Sequence, residues 1–222
     1  TALTVGNNAQ VALLSIRVRG GRSISGSATV SPIPVTGAAT VVDPMLGLTE
    51  PTFTACDYNN FVASGTVTLQ PGTYCNGIRL NANAQATFAS GNYLIYGGGL
   101  ITGNNSRLTG SAVTIFIAVG GSITMNSTTI VNLTAPTSGT YAGIAIFESR
   151  SVPLGVASHT IPIANTGRLE GVVYTPRSAL QITGVGATPA NSSARALALV
   201  SRTLRLTGRL RINYDPHYVA DA

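Results

Sequence analysis

Apolar residues fall on alternate positions along much of this chain, in short runs. Ile16 and Val18 alternate with Arg17 and Arg19. Val113, Ile115 and Ile117 alternate with Thr114 and Phe116, and Leu204 and Leu206 flank Arg205. Beyond Gly208, Leu210 and Ile212 alternate with Arg209 and Arg211. A period of two is that of a strand with one face buried, because successive side chains point to opposite sides. On this reading Val113, Ile115 and Ile117 face a core, while Thr114 and Phe116 face out. Helical periodicity is absent.

The runs also repeat. Segments 80–88 (LNANAQATF), 100–108 (LITGNNSRL) and 123–133 (ITMNSTTIVNL) occupy equivalent places. Apolar strands follow them at 93–96 (YLIY), 113–117 (VTIFI) and 143–147 (GIAIF), with glycines at 97–99 and 120–121 between. Such a step is too short for a propeller blade and fits one coil of a β-helix resting on its neighbours. The pattern predicts an all-β, single-domain β-solenoid (a parallel β-helix) of about 20–23 residues per coil. It divides into an amino-terminal coil at 1–30, regular coils at 58–147, carboxy-terminal coils at 169–214 and a tail at 215–222. Irregular excursions are expected at 31–57, which holds four prolines and three acids, and at 148–168, which holds Pro153 and Pro162. Proline cannot donate to a ladder, so the first excursion should lie on the outside.

The composition agrees and removes several functions. Charged residues make up 9% of the 222 and hydrophobic ones 44%, the reverse of a disordered chain. All thirteen basic residues are arginine. Lysine chemistry (a Schiff base, a P-loop, an isopeptide cross-link) is therefore excluded. The net charge of +6 invites a nucleic-acid reading, but no basic run, helix-turn-helix or zinc-finger spacing accompanies it. Eight arginines fall in 17–22 and 195–211. They suit either charged protection of the solenoid's two open ends or an anionic partner, with Arg205, Arg209 and Arg211 as the exposed row. No apolar run is long enough for a membrane helix, and nothing resembles a signal leader.

Catalytic patterns are sparse. Glycoside cleavage needs two close carboxyl groups, and calcium needs several. The acids are Asp43, Glu50, Asp57, Glu148, Glu170, Asp215 and Asp221, none of them between 58 and 147. The one dense group, Asp43, Glu50 and Asp57, is a weak calcium candidate against a solvated loop. There is no GxSxG or HExxH motif. His159 and His217 read as surface or turn residues rather than general bases. The triple glycine at 97–99 reads as a solenoid corner rather than a phosphate loop. Glycosylation sequons at Asn104, Asn126, Asn132 and Asn191 carry meaning only in a glycosylating host. Neither a cofactor nor a metal site is expected. Cys56 and Cys75 would stay thiols in a reducing cytosol and pair in an exported protein.

Residues 65–110 (GTVTLQPGTYCNGIRLNANAQATFASGNYLIYGGGLITGNNSRLTG) resemble the repeat of bacterial TadG-like proteins, associated with pilus-assembly (Tad) loci. The matching features are PGTYC at 71–75, the turn at 91–93, the glycines at 97–99 and TG at 109–110. APTSGTYAGIAIFESR at 135–150, GRLEGVVYTP at 167–176 and ISGSATVSPIPVTGAA at 24–39 resemble that group too. Departures are Asn76 where glycine is expected, Ser90 in place of proline, and no counterpart of the group's amino-terminal anchoring helix. The resemblance implies an envelope or extracellular location, no catalytic activity, and a structural role for the cysteine pair. The sequence-level expectation is a secreted or surface structural protein that self-associates, with an anionic-polysaccharide adhesin as the alternative and a polysaccharide-acting enzyme third.

Overall fold

The computed structural model describes residues 1–212, apart from 14 and 41. Its strands pair in parallel and wind as a β-solenoid of about nine turns, with no helix among the described residues. Each full turn visits three sheets. The first runs through Thr66–Leu69, Gln85–Phe88, Arg107–Gly110, Ile130–Thr134 and 168–170. The next strand of each coil joins the third sheet: 72–75, Gly91–Tyr96, Val113–Ile117, Ile144–Glu148, 172–175 and 197–201. The second sheet follows: 61–63, 78–80, Leu100–Thr102, Ile123–Thr124, Ser158–Ala164, 179–185 and 203–207. Leu100 lies above Ile78 and below Ile123, so the residue in register with them is Ile78, two residues before the expected Leu80. The inward layers are mostly aliphatic, with Ile95, Ile115, Leu100 and Val173 wholly buried, and Tyr74, Phe88 and Tyr93 add an aromatic stack toward one end.

Corners are made by residues whose neighbours exclude a side chain. Gly98 and Gly99 have φ of 61° and 120°. A Cβ at Gly99 would stand 2.2 Å from the Ser122 carbonyl oxygen in the next coil. The triple glycine is therefore a stacking corner, as expected from the sequence.

The excursions differ in detail from the sequence reading. Thr29–Ser31 pairs with Gln10–Ala12, and Val35 bridges to Arg17, so the coil continues past residue 31. The segment 148–168 contains a buried strand, Ser158–Ala164, despite Pro162. Pro162 is tolerated because the neighbour on one side pairs only as far as Thr160; no ladder there needs its missing N–H. The proline-rich segment does lie outside the coils. It straps the third sheet, where Met45 and Leu48 pack on a second core of Leu94, Phe116, Phe147 and Tyr174. Thr114 and Phe116 do point away from the lumen, but both are buried: Thr114 bonds Ile144, and Phe116 belongs to the second core.

The order of coils along the axis is not the order of the chain. Leu3–Gly6 stacks directly on 204–207, and Arg22–Ile24 stacks on Leu3–Gly6. The amino-terminal coils thus cap the carboxy-terminal one. The two ends of the rod are the coil at 22–38 and the coil at 58–71. The arginines of 17–22 and 195–211 consequently meet near one end instead of guarding opposite ends, which corrects the expectation of charged open ends.

Candidate functional site

The acids, few as they are, each have a structural partner where the structure describes them. Glu148 ends its strand at the corner between the third and second sheets, with no exposure. His159 Nε2 donates to Glu148 Oε1 at 3.0 Å, and the Arg177 amide donates to Oε2 at 3.0 Å. The Ser178 hydroxyl also donates to Oε1. His159 Nδ1 accepts from the Ile123 amide at 3.1 Å, which fixes the ring proton on Nε2. His159 is therefore buried rather than a surface or turn residue. Glu, His and Ser come together here, but in the wrong order for nucleophilic attack: the hydroxyl proton is committed to the carboxylate and does not meet the imidazole. What the arrangement does is satisfy a buried anion where three coils meet.

Glu170 is the second buried carboxylate. Arg168 Nε and Nη2 donate to Oε2 at 3.0 and 2.6 Å. The Arg195 amide donates to Oε2 at 2.8 Å and its guanidinium to Oε1 at 3.0–3.1 Å. Burial alone would raise this carboxyl, but the bonds from Arg195 and Arg168 outweigh it, leaving it below the usual 4.5. A depressed folded-state pKa gives stability that is present above the unfolded value and lost as pH falls through the folded one. Thermal unfolding should show the stability gap between the protein and Glu170→Gln narrowing from about pH 6 to about pH 3; a constant gap would refute the assignment.

The three excursion acids do not assemble into a calcium site. Asp43 Oδ2 accepts from the Tyr174 hydroxyl at 2.6 Å, Glu50 pairs with Arg150 at 3.0 Å, and Asp57 Oδ2 accepts from the Thr73 amide at 2.7 Å. Burial, with Asp43 adding to it, pushes the Tyr174 phenol up to about 12. Arg150 also donates to the Met45 and Leu48 carbonyls at 2.6 Å each. These contacts hold the strap. Among the described residues no cluster of three or more metal-ligating side chains exists. At the strap's far end Cys56 and Cys75 form a disulfide. No helix among the described residues is long and apolar enough to cross a membrane.

Arg205, Arg209 and Arg211 are all exposed, as expected. The Arg209 guanidinium also reaches the Ala187 carbonyl. Arg202, and Arg17, Arg19 and Arg22 on the amino-terminal coils stacked beside it, are exposed as well. Sequence reasoning missed this convergence, because it depends on pairing residues 3–6 with residues near 205. Of the sequons, Asn191 is buried, with its side-chain oxygen accepting from the Leu169 amide, so it is no acceptor for a glycan. His217, Asp215, Asp221 and the tail at 215–222 lie outside the described residues.

Against family models, curated proteins and solved structures, the chain finds no match.

Proposed function

We propose that this chain is a non-catalytic structural rod of the bacterial surface or extracellular space, whose copies add head to tail into a filament. The observation that carries this is the state of the two rod ends. Among the described residues, Arg22–Ile24 has no partner on its outer side at one end, and the strand at 61–63 has none at the other. Apolar side chains lie open there: Ile24 and Val35 on one end coil, Val62 on the other. The parallel ladder that stacks coils inside the chain can continue from one copy to the next, a contact that does not close on itself. Charge does not oppose it, since residues 58–71 contain no arginine. The disulfide suits an oxidising compartment, and the TadG-like resemblance of 65–110 suits the envelope.

Electron microscopy of the purified protein tests the proposal. Fibres built on the ~4.8 Å coil repeat are expected, and Val62→Lys should shorten them. Single rods of about 43 Å at every concentration would overturn it. A second reading, adhesion to an anionic polysaccharide, is favoured by the gathered arginines. Its mark would be salt-sensitive binding weakened by alanine at Arg205, Arg209 and Arg211.

A further inference from the structure

The corners between the third and second sheets stack into one edge of the rod. On neighbouring coils they are short: 97–99, 118–122 and 176–178. Between Ile144–Glu148 and Ser158–Ala164 the same corner runs through 149–157. This longer corner is a formed finger. The Val152 amide donates to the Ser149 carbonyl at 3.1 Å, and the Val156 amide to the Pro153 carbonyl at 3.4 Å. Val152 is buried at its root. The next coil clasps it: the Gly155 amide donates to the Arg177 carbonyl at 2.8 Å, and Arg177 Nε to the Val152 carbonyl at 2.9 Å.

The finger holds apolar side chains in water. Leu154 is 59% exposed and Val156 77%, the highest value for a large hydrophobic side chain among the described residues. Val119, on the preceding coil's corner, is also exposed. Exposed aliphatics scattered singly need no explanation, but a built turn that keeps two of them outward does. Basic groups flank the pair. Arg177 is half-buried at the finger's side, and Arg202, on the corner beyond it, is exposed. A Cβ at Gly155 would stand 3.2 Å from the Arg202 guanidinium carbon, so the finger and this arginine touch. The acids nearby do not offset this charge: Glu148 is buried at the finger's base, and Glu50 is paired with Arg150.

We propose that this finger seats the rod on a lipid surface bearing anionic headgroups. Leu154 and Val156 enter the boundary between headgroups and acyl chains, while Arg177 and Arg202 meet the phosphates. An aliphatic entering that boundary and an arginine near an anionic bilayer are separate attractions, and here they come from adjacent side chains. A protein partner would need a broad complementary face, on the order of 800 Å² per side. A narrow loop with two apolar tips does not offer one, and a bilayer requires no such fit. The contact lies on the bilayer and does not cross it. It is independent of the filament reading, since the finger stands on the rod's side and leaves both ends open.

Cosedimentation of the full chain with vesicles tests the proposal. The chain should bind vesicles of mixed phosphatidylcholine and phosphatidylglycerol, and bind pure phosphatidylcholine about ten-fold more weakly. Leu154→Ser combined with Val156→Ser should lose about ten-fold or more on the mixed vesicles. Arg202→Gln should lose a smaller part, the part that added salt also removes. Ile33→Ser takes away an equally exposed aliphatic on the end coil and should change nothing. Thermal midpoints matching the parent chain show that the variants fold. Failure of the unaltered chain to bind the mixed vesicles would overturn the proposal without any variant. So would binding that survives the double serine change, since arginine alone would then hold the surface, or a loss matched by Ile33→Ser.

Discussion

Replacing Glu148 with alanine should cost the fold about 3–5 kcal/mol, at about 1–3 kcal/mol for each buried donor left without its acceptor. The loss is that of a shared acceptor. The His159 ring N–H, the Ser178 hydroxyl and the Arg177 amide all end on this one carboxylate, with neither Glu148 nor Ser178 exposed. Without it, three donors from two later coils are stranded away from water. Glu148→Gln should cost less, because its amide oxygen still accepts while the charge is gone. Urea denaturation reads the result as a lower midpoint at unchanged slope. A loss under 1 kcal/mol would mean that water reaches the corner and that the cluster is not the buried knot described.

The adjacent residue carries the second large effect through different physics. Phe147→Ala should lose about 3–5 kcal/mol, the usual cost of emptying a buried aromatic site. Its ring stacks on Tyr174 at 4.7 Å and tilts against Phe116 at 5.7 Å, with the Arg150 guanidinium 5.5 Å from its centre. This cavity opens beneath the strap and not in the lumen. The expected signature is therefore local: proteolysis within 42–53 should rise before the coils unfold. Uniform loosening of the coils with the strap still protected would contradict a separate outer core.

The coils were legible because they are local. Alternation at Val113–Ile117 and the repeats near 80, 100 and 123 record which residues must face a narrow lumen, and the structure stacks them within two residues of that reading. The second core was not legible from the same pattern. Phe116 lies on the outward parity; the Tyr141 ring meets it at 4.7 Å, and Met45 and Leu48, far away in sequence, pack on the cluster it belongs to. The parity rule was right about direction and silent about the cover. Strand Ser158–Ala164 was missed because Pro162 reads as a breaker, whereas here it sits beyond the end of its neighbour's ladder. The Glu148 cluster joins residues 11 and 30 positions apart across coils, a relation no spacing motif encodes. The junction between residues 3–6 and 204–207 is less legible still: local sequence says that each is a strand, not that they are neighbours.

Because the coil ending near residue 38 and the coil beginning at residue 58 stand at opposite ends of the stack, the strap between them is a covalent tie along the rod's length. In most stacked-coil molecules, axial pulling is resisted only by weak bonds between layers, which can peel one at a time from an end. Here tension that parts the layers must also straighten the strap, which runs by its backbone into the end coil and is fastened to the next coil by the Cys56–Cys75 sulfur–sulfur bond. The molecule is built like a spring with a tether running beside it, and under reducing conditions the end coil at 58–71 should part from its neighbour at lower load than under oxidising ones.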